Sequence, residues 1–248
     1  MSSGYAIVVE DLVKVYPGGT RGVDGVSFTV KPGEVFGLIG PNGAGKTTTL
    51  RIIATILQPT SGRVQVFGYD VVSDASKVRE VISYLPEDAG AYKYLTGYEF
   101  LEFIARFYAS SDRELEDMLR EGVRLSGLGE RLRDKIKSYS KGMLRRLLVA
   151  KTLMVKPKLA ILDEPTSGLD VVNAVRVRNA IRSYAREKGV TILLSSHNML
   201  EVEYLCDRIA IIHKGKIIAS GEPKKLVEEH GVSNLEEVFV KLVGGEGL

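Results

Sequence analysis

The sequence predicts an α/β protein whose core is a mainly parallel sheet, with an N-terminal antiparallel β-subdomain and an inserted α-helical subdomain. Two strand-like stretches, Ala6–Tyr16 and Val23–Val30, come first and are separated by a Gly-rich turn. Short apolar strands and helical patterns then alternate, which indicates parallel strands with helices on both faces of the sheet. Between Leu95 and Lys156 the strand pattern gives way to apolar residues at helical spacing.

The elements after this antiparallel pair follow from apolar runs and the turns between them. The core begins with a strand over 34–40 after a Lys-Pro-Gly turn, a helix over 46–57, and strands over 63–67 and 81–85. The inserted segment has helical periodicity over 99–108, 111–127 and 140–155. The core resumes with strands over 159–162, 191–194, 209–212 and 216–219 and with helices over 171–188, 223–229 and 234–243. We therefore expect one domain over 1–248, with an α/β core at 1–94 and 157–248 and a helical subdomain at 95–156.

Length and composition exclude several classes of protein. The 248 residues suffice for one large α/β domain or two small ones, and the net charge of +3 gives no argument for a nucleic-acid partner. No apolar run approaches the ~18 residues that cross a bilayer, and no basic stretch followed by an apolar core marks a secretory signal. The single cysteine, Cys206, excludes an internal disulfide and a multi-cysteine metal site. We expect a cytoplasmic protein that binds no nucleic acid.

Residues 40–47 read Gly-Pro-Asn-Gly-Ala-Gly-Lys-Thr and match the phosphate-loop pattern G-x-x-x-x-G-K-[ST] at every defined position. Glycines let the backbone curl so that successive N–H groups point at one anion. Lys46 adds a positive charge for the β- and γ-phosphates, Thr47 offers a hydroxyl to Mg²⁺, and the following helix presents its positive end. The predicted nucleotide-binding residues are Pro41, Asn42, Gly43, Ala44, Gly45, Lys46, Thr47 and Thr48. Taken alone, this loop fits a kinase, a GTPase or a motor equally well.

A second motif, Asp163-Glu164, ends the apolar strand over 159–162. Ligands of open α/β sheets bind at the carboxyl ends of the strands, so Asp163 is expected to hold Mg²⁺ directly or through water. Glu164 is expected to point to the opposite face, because side chains alternate along a strand. It is expected to accept a proton from, or to orient, the water that attacks the γ-phosphate. The alternative for this pair is a solvated acidic turn.

Five further motifs stand in order around these two. They are Tyr16, Glu87 in Tyr84-Leu-Pro-Glu-Asp, the segment Tyr139-Ser-Lys-Gly-Met143, the segment Ser167-Gly-Leu-Asp170, and His197 after a core strand. With them, the chain resembles the nucleotide-binding subunit of an ATP-binding cassette (ABC) transporter over essentially its whole length. The resemblance implies a P-loop (RecA-like) fold that binds ATP with Mg²⁺ and hydrolyses it.

The resemblance also implies roles within one subunit. Tyr16 would stack on adenine, although a plain strand aromatic is the alternative for this residue. Glu87 stands at the position of the family's glutamine loop and would bind Mg²⁺ with Thr47 and Asp163. His197 would contact the γ-phosphate as a catalytic residue, although an isolated histidine is more often a surface residue.

Other residues would act in trans, on ATP bound to a second cassette. Ser140 can cap the helix that follows it, and the free N–H groups of that helix form a second anion site. Ser140, Gly142 and Asp170 are the residues that the resemblance assigns to this contact. Two cassettes would then pair head to tail, as a homodimer or heterodimer, with two ATP molecules between them.

The chain departs from the family pattern in two places. Position 87 is Glu instead of Gln, and Tyr139, Lys141 and Met143 replace residues of the usual signature Leu-Ser-Gly-Gly-Gln. Both features, with the ending Leu235–Val243, resemble the ABC-2-type exporters of drugs, polysaccharides or lipids.

The resemblance implies a separate integral-membrane permease as partner, with the chain peripheral on the inner face of the cell membrane. Tyr92, Tyr94 and Leu95 are candidate anchors for that permease. One alternative is a single-cassette soluble ABC ATPase that acts in macromolecular assembly. A kinase or GTPase is a further alternative, but no guanine-reading Asn/Thr-Lys-x-Asp segment follows a core strand.

Overall fold

Two sheets and the helices around them make up the structure, a computed structural model that describes residues 4–244. The strands are β1 (Ile7–Val15), β2 (Arg21–Val30), β3 (Val35–Ile39), β4 (Ser61–Val66), β5 (Tyr69–Asp70), β6 (Ile82–Leu85), β7 (Leu159–Leu162), β8 (Thr191–Ser196), β9 (Arg208–His213) and β10 (Lys216–Gly221). The α-helices are α1 (Lys46–Ile53), α2 (Ala75–Val81), α3 (Gly97–Tyr108), α4 (Asp112–Ser126), α5 (Lys141–Met154), α6 (Val171–Lys188), α7 (Met199–Leu205), α8 (Pro223–His230) and α9 (Leu235–Val243). Short 3-10 helices cover Gly129–Arg133 and Ile136–Ser138.

The strands pair as the predicted fold class requires. One sheet is antiparallel with the order β2-β1-β4-β5. The other has the order β10-β9-β3-β8-β7-β6, in which β9, β3, β8, β7 and β6 are parallel and β10 pairs antiparallel with β9. The predicted antiparallel start and mainly parallel core are therefore confirmed.

The assignment of the strand at 63–67 to the core was wrong. That segment forms β4, which pairs with β1 in the register Ile7↔Val66 and Val9↔Val64. Gly62 permits this pairing, because a Cβ there would lie 2.3 Å from the carbonyl oxygen of Asp11. The chain thus returns to the antiparallel sheet after α1 before it enters the rest of the core.

One predicted helix differs from the structure, and two helices of the structure were not predicted. The helix expected over 46–57 ends at Ile53, because Thr55 adopts a positive φ of 62°. Helix α2 was not predicted, since Val78 is its only fully buried residue and gives no apolar period. Helix α7 was also missed, because a buried glutamate, Glu201, interrupts its apolar pattern.

The parallel sheet is buried on both faces, which places the ends of its strands at the site. All five residues of β3 are buried, and they alternate between two apolar clusters. Phe36 and Leu38 join the cluster that lies beneath the antiparallel sheet and α1. Val35 and Ile39 join the cluster formed with α3 to α7. The loop after Ile39 therefore leaves a rigid, fully covered strand.

The predicted helical subdomain, 95–156, contains α3, α4 and α5. Its division from the core stays a prediction, because α5 contacts both α4 and the core elements α6 and β6. Residues 1–3 and 245–248 of the expected domain lie outside the described residues. Within residues 4–244, no helix has both the length and the apolar character needed to cross a bilayer.

Candidate nucleotide site

The loop between β3 and α1 depends on its glycines for two different reasons. A Cβ on Gly40 would lie 2.1 Å from the carbonyl oxygen of Ile212, and one on Gly45 would lie 2.5 Å from that of Gly22. Gly43 has a φ of +78°, but a Cβ on it would meet no atom within 4 Å. Two glycines therefore pack the loop against the protein, and the third has open space beside it and a backbone conformation that favours glycine.

Lys46, only 5% exposed, is held inside this loop. Its Nζ donates to the carbonyl oxygens of Gly40, at 2.8 Å, and Pro41, at 3.2 Å. It also forms an ion pair with Glu164 Oε1 at 3.3 Å. Two loop carbonyls and one carboxylate thus fix the ammonium group at the start of α1, the helix end that favours anions.

Asp163 is fully buried and accepts hydrogen bonds from three elements. Thr47 Oγ1 donates to its Oδ1 at 3.1 Å, Ser195 Oγ donates to the same oxygen at 2.6 Å, and Tyr84 donates to its Oδ2 at 3.3 Å. Burial, together with the charge of Asp163, raises the pKa of the Tyr84 phenol to about 12, so the phenol remains a donor. The structure thus joins Thr47 and Asp163, the predicted Mg²⁺ residues of the two motifs.

Glu164 does not follow the strand geometry expected for it. β7 ends at Leu162, and Glu164 has a left-handed backbone with a φ of 47°. The alternation argument was therefore wrong, because the residue has left the strand. Its Oε2 lies 2.8 Å from His197 Nδ1, while Oε1 contacts Lys46. The two predicted catalytic residues, Glu164 and His197, are thus in direct contact beside the phosphate loop.

A cavity of about 410 Å³ opens in front of the loop. Tyr16 lies at its edge, where its hydroxyl is 3.0 Å from Thr48 Oγ1. The lining residues are Tyr16, Thr20, Arg21, Gly22, Asn42, Gly43, Gly45, Lys46, Thr47, Thr48, Glu87 and Glu164. Pro41 and Ala44 are instead joined by a turn, in which the Ala44 N–H donates to the Pro41 carbonyl at 3.2 Å. The cavity is therefore lined by an aromatic ring, the phosphate loop and the carboxylates of Glu87 and Glu164.

The residues assigned to a contact in trans form a separate group that does not line this cavity. Ser140 caps α5 by accepting a hydrogen bond from the Met143 N–H at 3.2 Å. Asp170 caps α6 by accepting from the Asn173 N–H at 3.0 Å. A Cβ on Gly142 would lie 2.5 Å from the Asn173 side chain, so the two capped helix starts are adjacent.

Three buried polar residues at the site were not predicted. Ser195 donates to Asp163 and accepts from the Glu164 N–H at 2.9 Å. Arg145 donates to the main-chain carbonyl oxygens of the acid pair itself, Asp163 and Glu164, and Glu201 accepts from Thr166 in the loop that follows the pair. Each of them is held by residues distant in the chain, so no local sequence pattern pointed to any of the three.

The donor chemistry of this site fits Mg-ATP. Mg²⁺ binds through one or two carboxylates, hydroxyls and phosphates and keeps several waters, and the joined Thr47 and Asp163 side chains supply that kind of donor. The open side of Gly43 and the Lys46 ammonium suit phosphate oxygens. Among residues 4–244 no cluster of three or more His, Cys, Asp or Glu side chains could hold a metal ion by itself. A metal here would therefore share its ligands with the nucleotide.

This fold and site define an ATP-binding cassette. A model of the ABC transporter family matches residues 23–167. The linearmycin resistance ATP-binding protein LnrL of Bacillus subtilis is 38% identical over 93% of this chain and 76% of its own length. The daunorubicin/doxorubicin resistance ATP-binding protein DrrA of Streptomyces peucetius is 41% identical over 91% of this chain and 68% of its own length. The chain belongs to the ABC transporter family, as its motifs predicted.

A further sequence relative and two solved structures agree with this assignment. The chain matches only 63% of the length of YhcH of Bacillus subtilis, an uncharacterised ABC transporter ATP-binding protein with 42% identity. A solved ATP-binding subunit of an ABC transporter superposes with a TM-score of 0.84 and 31% identity, over 96% of this chain and 99% of that one. The cbiO1 protein of Clostridium perfringens, part of the complex cbiONQ, gives 0.82 and 27% identity over 92% of each chain. These matches confirm the predicted P-loop fold and ATP-binding class.

Proposed function

We propose that this chain is the ATP-binding and ATP-hydrolysing subunit of an ABC exporter, which powers a separate membrane permease through ATP-driven dimerisation. The observation that carries the proposal is the chain of contacts from Lys46 through Glu164 to His197, beside the Thr47–Asp163 pair. Bound Mg-ATP would supply the γ-phosphoryl group that is transferred to water.

Each residue of the site would have its own role in ATP binding or hydrolysis. Lys46 would exchange the Glu164 carboxylate for phosphate oxygens, because its buried ammonium needs an anionic partner. Glu164 would then hold the attacking water, with His197 fixing the carboxylate from the other side. Thr47, Asp163 and Glu87 would hold Mg²⁺, while Tyr16 would stack on the adenine ring.

Replacement of Glu164 by Gln tests this assignment. Hydrolysis should fall by about 10²–10⁴-fold, the usual contribution of a general base. ATP affinity should be kept or increased, because Lys46 loses its competing carboxylate. The matched control is Glu236→Gln on exposed α9, which should leave hydrolysis unchanged. Unchanged hydrolysis in Glu164→Gln would remove this residue from the proposed role.

The permease would dock on an exposed aromatic surface that follows Glu87. Tyr94 is 80% exposed, and the Phe103 ring contacts those of Tyr92 and Phe107, with centroids 5.5 and 5.0 Å away. Exposed aromatic clusters of this kind mark protein contact sites. Leu95 is half-buried against the core, so we assign the contact to the aromatic rings instead.

A photo-crosslinking residue at position 94 tests the partner and the location together. In intact cells it should capture an integral-membrane protein, with the chain recovered on the inner face of the membrane. The matched control is the same residue at Tyr69, an exposed tyrosine on β5 of the other sheet. Capture from both positions alike, or of water-soluble proteins alone, would favour the soluble ABC ATPase instead. The names of LnrL and DrrA, which refer to resistance to linearmycin and to daunorubicin/doxorubicin, support drug-like cargo.

A further inference from the structure

Arg145 lies outside the predicted motifs, yet its side chain reaches two loops of the site. The residue sits near the start of α5 and is 7% exposed. Its guanidinium makes five hydrogen bonds, all to main-chain carbonyl oxygens. The acceptors are Pro86 at 3.2 Å, Glu87 at 3.0 Å, Asp163 at 2.7 Å, Glu164 at 2.6 Å and Pro165 at 2.9 Å. A guanidinium has five N–H donors in one plane, so each of them is used.

This arrangement holds a buried charge without a direct ion pair. Burial lowers the pKa of the Arg145 guanidinium, while the charges of Asp163, Glu87 and Glu164 oppose that shift. Burying a cation is costly, and an apolar side chain could fill the same space at less cost. A lysine could not replace it, because an ammonium presents three donors from one point and cannot reach carbonyls on two loops. The geometry, rather than stability, therefore accounts for an arginine here.

We propose that Arg145 is a positioning residue that ties the loop of Glu87 and the loop of the acid pair to helix α5. The helix start capped by Ser140, the proposed metal carboxylates and the proposed hydrolytic Glu164 would then keep one mutual geometry. The proposal rests on the function proposed above. Arg145 contacts main-chain atoms and does not line the cavity in front of the phosphate loop. It would therefore affect turnover more than nucleotide binding.

The neighbouring residue supplies a matched control. Arg146 is also buried, at 8% exposure, and its guanidinium also donates to main-chain carbonyls. Its acceptors are Ser126, at 2.9 Å, and Gly127, at the end of α4 and away from the site. Arg145→Lys and Arg146→Lys thus disrupt contacts of the same kind on the same helix, although Arg145 makes five of these bonds and Arg146 makes two. Only the first of them acts on the site.

Kinetics of the two variants form the first test. Arg145→Lys should lower kcat by about ten-fold or more, since small displacements of reacting groups cost up to about 10²-fold, with KM for ATP within about three-fold of wild type. Arg146→Lys should stay within about three-fold of wild type in both constants, at a comparable loss of Tm. Equal losses of kcat in both variants would overturn the proposal, because the effect would then follow stability alone.

Hydrogen exchange forms the second test and needs no catalysis. Amides in residues 86–95 and 163–170 should exchange faster in nucleotide-free Arg145→Lys than in wild type, whereas Arg146→Lys should leave both segments unchanged. If Arg145→Lys does not fold, Arg145→Gln takes its place, since it also loses most of the five bonds. Unchanged exchange of both segments in Arg145→Lys would overturn the proposal that Arg145 holds the two loops to α5. A wild-type chain without ATPase activity would instead refute the proposed function, and exchange would still decide the role of Arg145.

Discussion

The contact between Thr166 and Glu201 yields a quantitative prediction about the loop behind the acid pair. Glu201 is 3% exposed, and Thr166 Oγ1 lies 2.5 Å from its Oε1 and within bonding distance of Oε2. The next donor, Ser196 Oγ, is 3.5 Å from Oε2. The change Thr166→Val replaces the hydroxyl by a methyl group of similar size, and Thr166→Ser keeps the hydroxyl as a control.

The expected cost follows from the loss of that one close donor. A buried polar group left without a partner costs about 1–3 kcal/mol, and we take about 2 kcal/mol because Ser196 remains nearby. For a chain of this length, that loss corresponds to a Tm lower by about 4–8 °C. Denaturant unfolding should show a lower midpoint with an unchanged m-value, which separates a stability change from a change in the unfolded state.

The stability lost in Thr166→Val should depend on pH, because Glu201 titrates with a raised pKa. Burial raises the pKa of Glu201, and the charge of Glu164 adds to this, while the Thr166 bond and the charge of Arg178 oppose it. A raised pKa in the folded state contributes stability below the unfolded pKa, and this stability is lost as the pH rises through the folded value. Without the Thr166 bond the folded pKa rises further, so the deficit of Thr166→Val should grow from pH 5 to pH 8.

Two outcomes would refute this reasoning. Equal stability of Thr166→Val and Thr166→Ser at pH 8 would mean that the hydroxyl does not stabilise the carboxylate. A deficit that shrinks as the pH rises would mean that Thr166 stabilises the protonated form instead. Glu201→Gln, which cannot ionise, should be less sensitive to pH than the wild-type chain over the same range.

The remaining predictions concern the nucleotide. Tyr16→Ala should weaken ATP binding by about ten-fold through loss of stacking, whereas Tyr16→Phe, which loses only the contact with Thr48, should bind nearly as wild type in a fluorescence titration. Mixing Lys46→Ala with Ser140→Asp, each inactive alone, should restore part of the ATPase activity, because a head-to-tail pair contains one site with both residues intact. Asp still caps a helix, so the second variant should keep its α5 start; no recovery on mixing would contradict the trans contact.

The parts of the site that the sequence predicted are those with local causes. The phosphate loop and its helix follow from adjacent residues, and Lys46, Thr47, Asp163, Glu164 and His197 meet because parallel strands bring their carboxyl ends together. The role that each of these residues plays stays a prediction. Strand pairing between distant parts of the chain was harder to predict from the sequence. Strand β4 joins β1 rather than the core, and nothing within residues 61–66 specifies that partner.

The buried polar contacts were beyond prediction for a different reason. Arg145 and Glu201 are stabilised by atoms of loops far away in the chain, so their own neighbours give no signal. Ser195 and Ser196 extend β8 beyond the apolar run that predicted it, because both are buried against the acid-pair loop and Glu201. Polar residues inside a core obscure strand and helix periods, and here they do so at the site itself.

The charges at the site give a physical reason to expect a contribution from a second chain. Two cations, Lys46 and Arg145, and two carboxylates, Asp163 and Glu164, are buried together at the ends of β3 and β7. Such a set is balanced, and Mg-ATP would add net negative charge to it. The N–H groups of the loop and of α1 would offset part of this added negative charge. The rest of the offset would have to come from outside the chain, and the capped start of α5 in a second subunit, with Lys141 in its first turn, presents a positive end of the right kind.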